Sequence, residues 1–397
     1  MRSPRLRLLP LHVGLLVAVL GITSCASDAR PAPAAEATTD AHDVGAGSAA
    51  EVSAPALALV IADADGAVTL LDLETEQRTP LAEPSTGVER IDSDGRLIFV
   101  AHDSTVDVID SARWTVPHGD HTHSFRGDAG PIGSIDGAGV QVHAGEQSAT
   151  VQFDGDVVVL PHEDLSLENA VRVDIGADGP VLAFAGHLLV PSGGAIEVHD
   201  DSGDLISGSG VPCAGVSDAD ITRVGAVFTC ADGAVLFTRE VGGAVAGEHI
   251  PTPPGASTAA ALAGRTGRPD LAGVTGDQGA WLLDVRQRTW TLLPSEVPLL
   301  RAVAVGDDES RTIAVDAAGR ALIIGQDGAV LARTEPLVAA SLADPASLDR
   351  LQLIVDARHA YLTDPAAGAV YELDHTDDLR LARTFTDLDP WFVQQVG

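Results

Sequence analysis

From residue 56 to the C-terminus, apolar residues fall in short alternating runs, and no stretch keeps the three-and-four spacing of an amphipathic helix. The runs are separated by turn dipeptides: Asp65-Gly66, Asp94-Gly95, Asp154-Gly155, Asp178-Gly179, Asp232-Gly233 and Asp327-Gly328. Asp-Gly readily adopts the positive φ angles of a tight hairpin, so the pattern predicts antiparallel hairpins. One run also recurs. The motif Ala-Val-Thr-Leu-Leu-Asp, starting at Ala67, has counterparts starting at Thr105, Ala149, Ala195, Ala234, Ala280, Arg320 and Ala369, at intervals averaging about 43 residues.

A unit of that length holds three or four strands, too few to bury both of its own faces, and must stack on its neighbours around a ring. The expected fold is therefore all-β, a β-propeller covering residues 56–397. Eight copies predict eight blades, and the weak copy at Arg320 leaves seven as the alternative. A parallel β-helix would have a shorter period and no need of hairpin turns. Residues 382–386 are expected to lie beside the first repeat and close the ring, leaving no open edge.

The N-terminal 55 residues read differently. Arg2, Arg5 and Arg7 precede an apolar run over residues 8–22, which ends in Ile22-Thr23-Ser24-Cys25. A charged start, an apolar middle and a small-residue cleavage box make residues 1–24 a lipoprotein signal peptide, with Cys25 as the lipidated residue. The run is shorter than the roughly 20 residues that a spanning helix requires. Residues 25–55, rich in Ala, Pro, Thr, Asp, Gly and Ser, bury too little to order themselves and are expected to form a flexible linker. His42, between Asp40 and Asp43, reads as a solvated side chain within it. The protein would work outside the cytoplasm, held to the membrane by Cys25.

Charge narrows the function. With 57 acidic against 24 basic residues the formal net charge is −33, which excludes nucleic acid as a partner. If Cys25 is lipidated, Cys213 and Cys230 remain as an even pair, and an oxidising compartment makes a disulfide the default. The loop it would close is worth roughly 3 kcal/mol. A metal-thiolate pair is the alternative, although no CxxC accompanies the two cysteines.

Thirteen histidines are thinly spread except in Trp114-Thr-Val-Pro-His118-Gly-Asp-His121-Thr-His123. His121 and His123 are two residues apart, so on an extended segment they leave the same face and can chelate one ion. Gly119 lets the chain fold back so that His118 or Asp120 can add a further donor. Neutral imidazole suits zinc at about 2.0–2.1 Å. The plainer reading is a His-rich surface loop. Elsewhere His102, His143, His162 and His187 stand alone, and His143 and His187 are the two candidates for a distal ligand.

Residues 106–123 closely resemble the diagnostic segment of the AztD-type zinc chaperones. A weaker likeness runs over residues 56–397, through Cys230-Ala-Asp-Gly-Ala-Val and Asp364-Pro-Ala-Ala-Gly368. The resemblance implies an extracytoplasmic β-propeller that works beside a zinc ABC importer and hands zinc to its solute-binding protein. It also implies that His118, Asp120, His121 and His123 include the principal zinc ligands. Three features of that family are absent or altered. The N-terminal linker is not His-rich, Val216-Ser-Asp-Ala-Asp220 follows Cys213 without a histidine, and His187 stands at a slightly shifted position. A secondary zinc site is therefore not carried over.

Two other functions fit a propeller with this sequence. One is a protein-interaction module that binds no metal. The other is a zinc-dependent hydrolase using Asp120 or Asp103 as base, although no nucleophile elbow or HExxH motif accompanies it.

Overall fold

The computed structural model describes residues 49–83, 87–102, 104–118, 121–138, 141–145, 147–162 and 165–397. Residues 1–48, including Cys25 and His42, and also Asp103 and Asp120, lie outside the described residues. Nearly all the regular structure of the described residues is strand, every sheet pairing is antiparallel, and the chain is a β-propeller. Its strands form seven four-stranded and two three-stranded sheets. Eight of these sheets are meanders that follow one another around an axis. In one three-stranded member, Asp270–Val274 to Thr289–Pro294, a bridge from Ala263 to Ala272 adds a fourth line of backbone.

The middle strands explain why the apolar runs are nearly continuous. Ala58–Ala62, Leu97–Ala101, Ala226–Cys230, Gly279–Asp284 and Thr312–Asp316 are buried at every position, because each sheet is covered on both faces by its neighbours. The outer strands, such as Arg78–Ala82 and Val330–Arg333, meet solvent and are polar or mixed. An apolar cluster fills each junction. Val60 and Leu70 of the first sheet pack with Ile98 and Ile109 of the second, while Leu59 and Leu71 pack with Tyr361 and Val370 of the last.

The recurring aspartate has a local cause. Asp72, Asp110, Asp284 and Asp374 end third strands, and one carboxylate oxygen of each accepts backbone N–H groups of the next turn. For Asp72 the donors are Glu74 and Thr75, at 2.9 and 2.8 Å. The copy at Ala149 falls out of this register. It lies in Ser148–Gln152, the second strand of its sheet, and the third strand is Asp156–Pro161. That strand ends in proline rather than aspartate, so the neighbouring run resembled the repeat more closely.

Ring closure also differs from the expectation. Residues 382–386 lie against the first sheet, through Arg383 to the Leu73 carbonyl and Thr386 to Arg78, but do not pair with it; Arg380–Phe385 is the outer strand of the last sheet, paired with Ala369–Asp374. The closing strand is Phe392–Val396, which pairs with Ala58–Ala62 from Val396 opposite Ala58 to Phe392 opposite Ala62. Ala58–Ala62 is apolar throughout and needs a partner on both edges, whereas Arg380, Arg383 and Thr384 suit a solvent-facing rim.

Ordered structure also begins earlier than residue 56. Ala50–Val52, within the stretch whose composition reads as linker, forms a strand. Cys213 and Cys230 are joined in a disulfide with a Cα–Cα distance of 5.3 Å. It ties the segment after the fourth sheet to a buried strand of the fifth, which removes the thiolate alternative.

Candidate metal centre

The second sheet consists of Arg90–Ser93, Leu97–Ala101, Thr105–Asp110 and Gly130–Asp136. Between its third and fourth strands the chain leaves the ring as a hairpin, Arg113–His118 and His121–Arg126, and returns. The N-terminal strand Ala50–Val52 pairs with the second arm, Glu51 lying opposite Phe125. The result is a three-stranded ribbon added to the propeller.

The base of the hairpin is clamped. Trp114 stacks on Phe125 across the two arms, centroids 5.0 Å apart, and the Arg96 guanidinium lies 3.6 Å over the Trp114 ring. Arg96 also forks onto Asp110, with contacts of 2.9 and 2.8 Å. Arg113 and Arg126, the paired residues at the foot, both reach Asp72 of the first sheet at 2.8 and 2.6 Å. Asp72 is only 2% exposed. Burial pushes its carboxyl up, but N–H donors of Thr75 and the Arg113 guanidinium outweigh that and bring it down to about 2.

The tip carries the histidines. His118 pairs with His121 in the register, so two residues, 119 and 120, make the connection. His121 Nε2 and His123 Nε2 stand 3.0 Å apart. Two imidazoles on one tetrahedral zinc at about 2.0–2.1 Å would hold their nitrogens about 3.3 Å apart, so this pair already converges at chelating distance. On its far side, His123 Nδ1 meets Glu51 Oε1 at 2.6 Å. A carboxylate can only accept, so His123 Nδ1–H is the donor to Glu51; in the neutral ring Nε2 then faces His121 as an acceptor, of the His121 Nε2–H in the metal-free pair. Among the described residues no group of three or more His, Cys, Asp or Glu side chains forms a complete metal cage.

The other candidates lie elsewhere. His143 is on Gln141–Ala144, the first strand of the third sheet, and His187 opens His187–Ser192 in the fourth. Neither shares a hydrogen bond with the hairpin among the described contacts. His187 Nδ1 bonds the carbonyl of Ala185 at 2.9 Å, within its own turn. Burial, with Arg90 beside it, pushes the His143 ring down to about 4, and its Nε2 is buried without a hydrogen-bond partner among the described residues. His102 and His162 are engaged by Asp107 and Asp94 at 3.1 and 3.0 Å.

Two features escape a reading of the sequence alone. Glu51 sits in a polar stretch with no apolar pattern, and its partner is 72 residues away. The second is a polar group on the first strands of the second, third and fifth sheets, formed by Arg90, Asp92, His143, Asp218 and Asp220. Burial raises Asp92 and Asp218, and burial together with Asp218 pushes Asp220 up to about 7. An Asp-x-Asp pair in an otherwise apolar repeat was the available signal.

No family model matches the chain, and no curated protein matches it. Solved structures do. Apo AztD from Citrobacter koseri superposes with a TM-score of 0.69 at 18% identity, covering 87% of this chain and 99% of that one. A second Citrobacter koseri AztD structure gives 0.70 at 19%, covering 87% and 98%. Kluyveromyces lactis Hsv2 reaches 0.51 at 7%, covering 76% and 99%. The fold of this chain is the β-propeller fold seen in the AztD structures.

Proposed function

We propose that the protein is an AztD-type zinc metallochaperone, outside the cytoplasm, that carries Zn2+ on the hairpin and delivers it to the solute-binding protein of a zinc ABC importer. The observation that carries this reading is the pair of Nε2 atoms 3.0 Å apart, on a ribbon appended to the ring. His121 and His123 supply two donors. His118 and Asp120, which complete the His-Gly-Asp-His-x-His segment, are the proposed third and fourth donors. His143 and His187, on other sheets, stay outside this donor set.

Zinc is here the cargo. An imidazole and carboxylate site at an exposed tip can exchange ligands one at a time, as transfer between proteins requires, whereas a closed cage would hold the ion. The net charge of −33 raises the local cation concentration without selecting a metal. The Cys213–Cys230 disulfide suits an oxidising compartment, and a lipid on Cys25 would keep the carrier beside the importer. The reading involves no catalysis.

The test is zinc stoichiometry and affinity of the wild type beside a His121→Ala/His123→Ala variant, followed by transfer to a chelator and to an importer binding protein. One tightly held zinc, lost in the variant, is expected. Absence of zinc from the wild type would leave the propeller as a docking module.

A further inference from the structure

Glu51 belongs to the segment that joins the N-terminal linker to the ring, yet it touches the proposed metal hairpin. Ala50–Val52 pairs with His121–Arg126, setting Ala50 opposite Arg126, Glu51 opposite Phe125 and Val52 opposite Ser124. Glu51 and His123 are thus diagonal neighbours on adjacent strands, within reach of a long side chain. The side chains meet at 2.6 Å, although that of Glu51 is 58% exposed and that of His123 only 30%.

An exposed pair of this kind contributes little to folding. Its chemical effect on the ring is larger. Neutral imidazole carries one proton on either nitrogen, and only the nitrogen without it can bind a metal. By accepting from Nδ1, Glu51 holds the proton away from the Nε2 that faces His121. It also fixes the ring's rotation about its Cβ–Cγ bond and makes the ring a stronger donor.

We propose that Glu51 is a positioning residue of the metal centre, acting through His123, and that docking of the linker's last strand is thereby coupled to metal retention. The inference rests on the zinc reading above. Coupling is reciprocal: zinc on Nε2 favours the docked strand as much as the docked strand favours zinc. A segment that tethers the protein would in this way also tune its hold on the cargo.

The experiment uses the full chain as wild type, Glu51→Ala, Glu51→Gln and His121→Ala/His123→Ala, with zinc affinity measured by chelator competition. Glu51→Ala is expected to weaken zinc binding by about 10- to 100-fold at an unchanged melting temperature of the metal-free protein. Glu51→Gln, which keeps an accepting oxygen, is expected to recover most of the loss. A second measurement, the ring nitrogen shifts of His123 in metal-free protein, is expected to show the proton on Nδ1 in the wild type and a mixture in Glu51→Ala. If the wild type binds zinc, the double histidine variant does not, and Glu51→Ala matches the wild type, the role of Glu51 is overturned while the zinc reading stands. If the wild type binds no zinc, both are overturned.

Discussion

Replacing Asp72 with asparagine tests whether the hairpin is held to the ring by charge. Asp72 is buried, accepts from Glu74 and Thr75 through one oxygen, and receives Arg113 and Arg126 on the other. Its carboxyl lies at about 2 in the folded protein against 3.8 for the unperturbed group. That difference corresponds to about 2 kcal/mol in favour of the folded, ionised form. Because the folded value is the lower one, the contribution is complete above about pH 4 and is lost as the pH falls toward 2. Asp72→Asn leaves Arg113 buried without its counter-charge, so the cost at pH 7 is expected to be about 2–4 kcal/mol. Urea unfolding at pH 7 and at successively lower pH measures it, with the gap between variant and wild type expected to narrow below about pH 4. Hydrogen exchange should place the damage in Arg113–His118 and His121–Arg126 before the ring. A gap below about 0.5 kcal/mol at pH 7, or one that does not change with pH, would refute the account.

Two further outcomes follow from the ring itself. Replacing Cys213 and Cys230 together with serine, or reducing the wild type, is expected to cost about 3 kcal/mol by opening a loop with a sequence separation of 17, read as a lower urea midpoint. Val393 lies fully buried in the closing strand, so Val393→Asp places an unpaired charge in the seam between the first and last sheets. That variant should expose the edge of Ala58–Ala62 and aggregate, as size-exclusion chromatography with light scattering would show, whereas the exposed neighbour-strand change Leu381→Asp should stay monodisperse.

The fold could be read from the sequence where chemistry repeats locally. Asp-Gly turns and the aspartate that caps the turn after a third strand are short-range features, so they recur in one dimension as they do in the ring. Reading failed where a long-range partner decides. Ser148–Gln152 resembles a third strand and is a second one, and only its pairing with both Gln141–Ala144 and Asp156–Pro161 reveals the difference. The closing strand behaves alike: residues 382–386 and Phe392–Val396 have comparable strand character, and the need of Ala58–Ala62 for an apolar inner partner selects the second. In the candidate metal centre, the two-residue spacing of His121 and His123 was enough to predict that their rings share a face. Glu51 was out of reach, since a three-residue strand with no apolar alternation carries no signal until its partner is known.

The position of the ribbon bears on the proposed transfer. Donors placed on the first strands of the sheets, where His143 and Asp220 lie, belong to strands that pair within the ring itself, so an ion there would be tied to the ring's own sheets. The hairpin is instead an insertion between two strands that pair with each other directly, Thr105–Asp110 and Gly130–Asp136, so the sheet is complete without it. Its foot is fixed by Arg96, Arg113 and Arg126, and its tip extends beyond the stacked Trp114 and Phe125. Movement at the tip therefore leaves the apolar junctions of the ring intact. On the proposed reading, this separation lets a rigid propeller present a labile ion: the ring sets where the metal is held, and the strand bearing Glu51 sets how firmly.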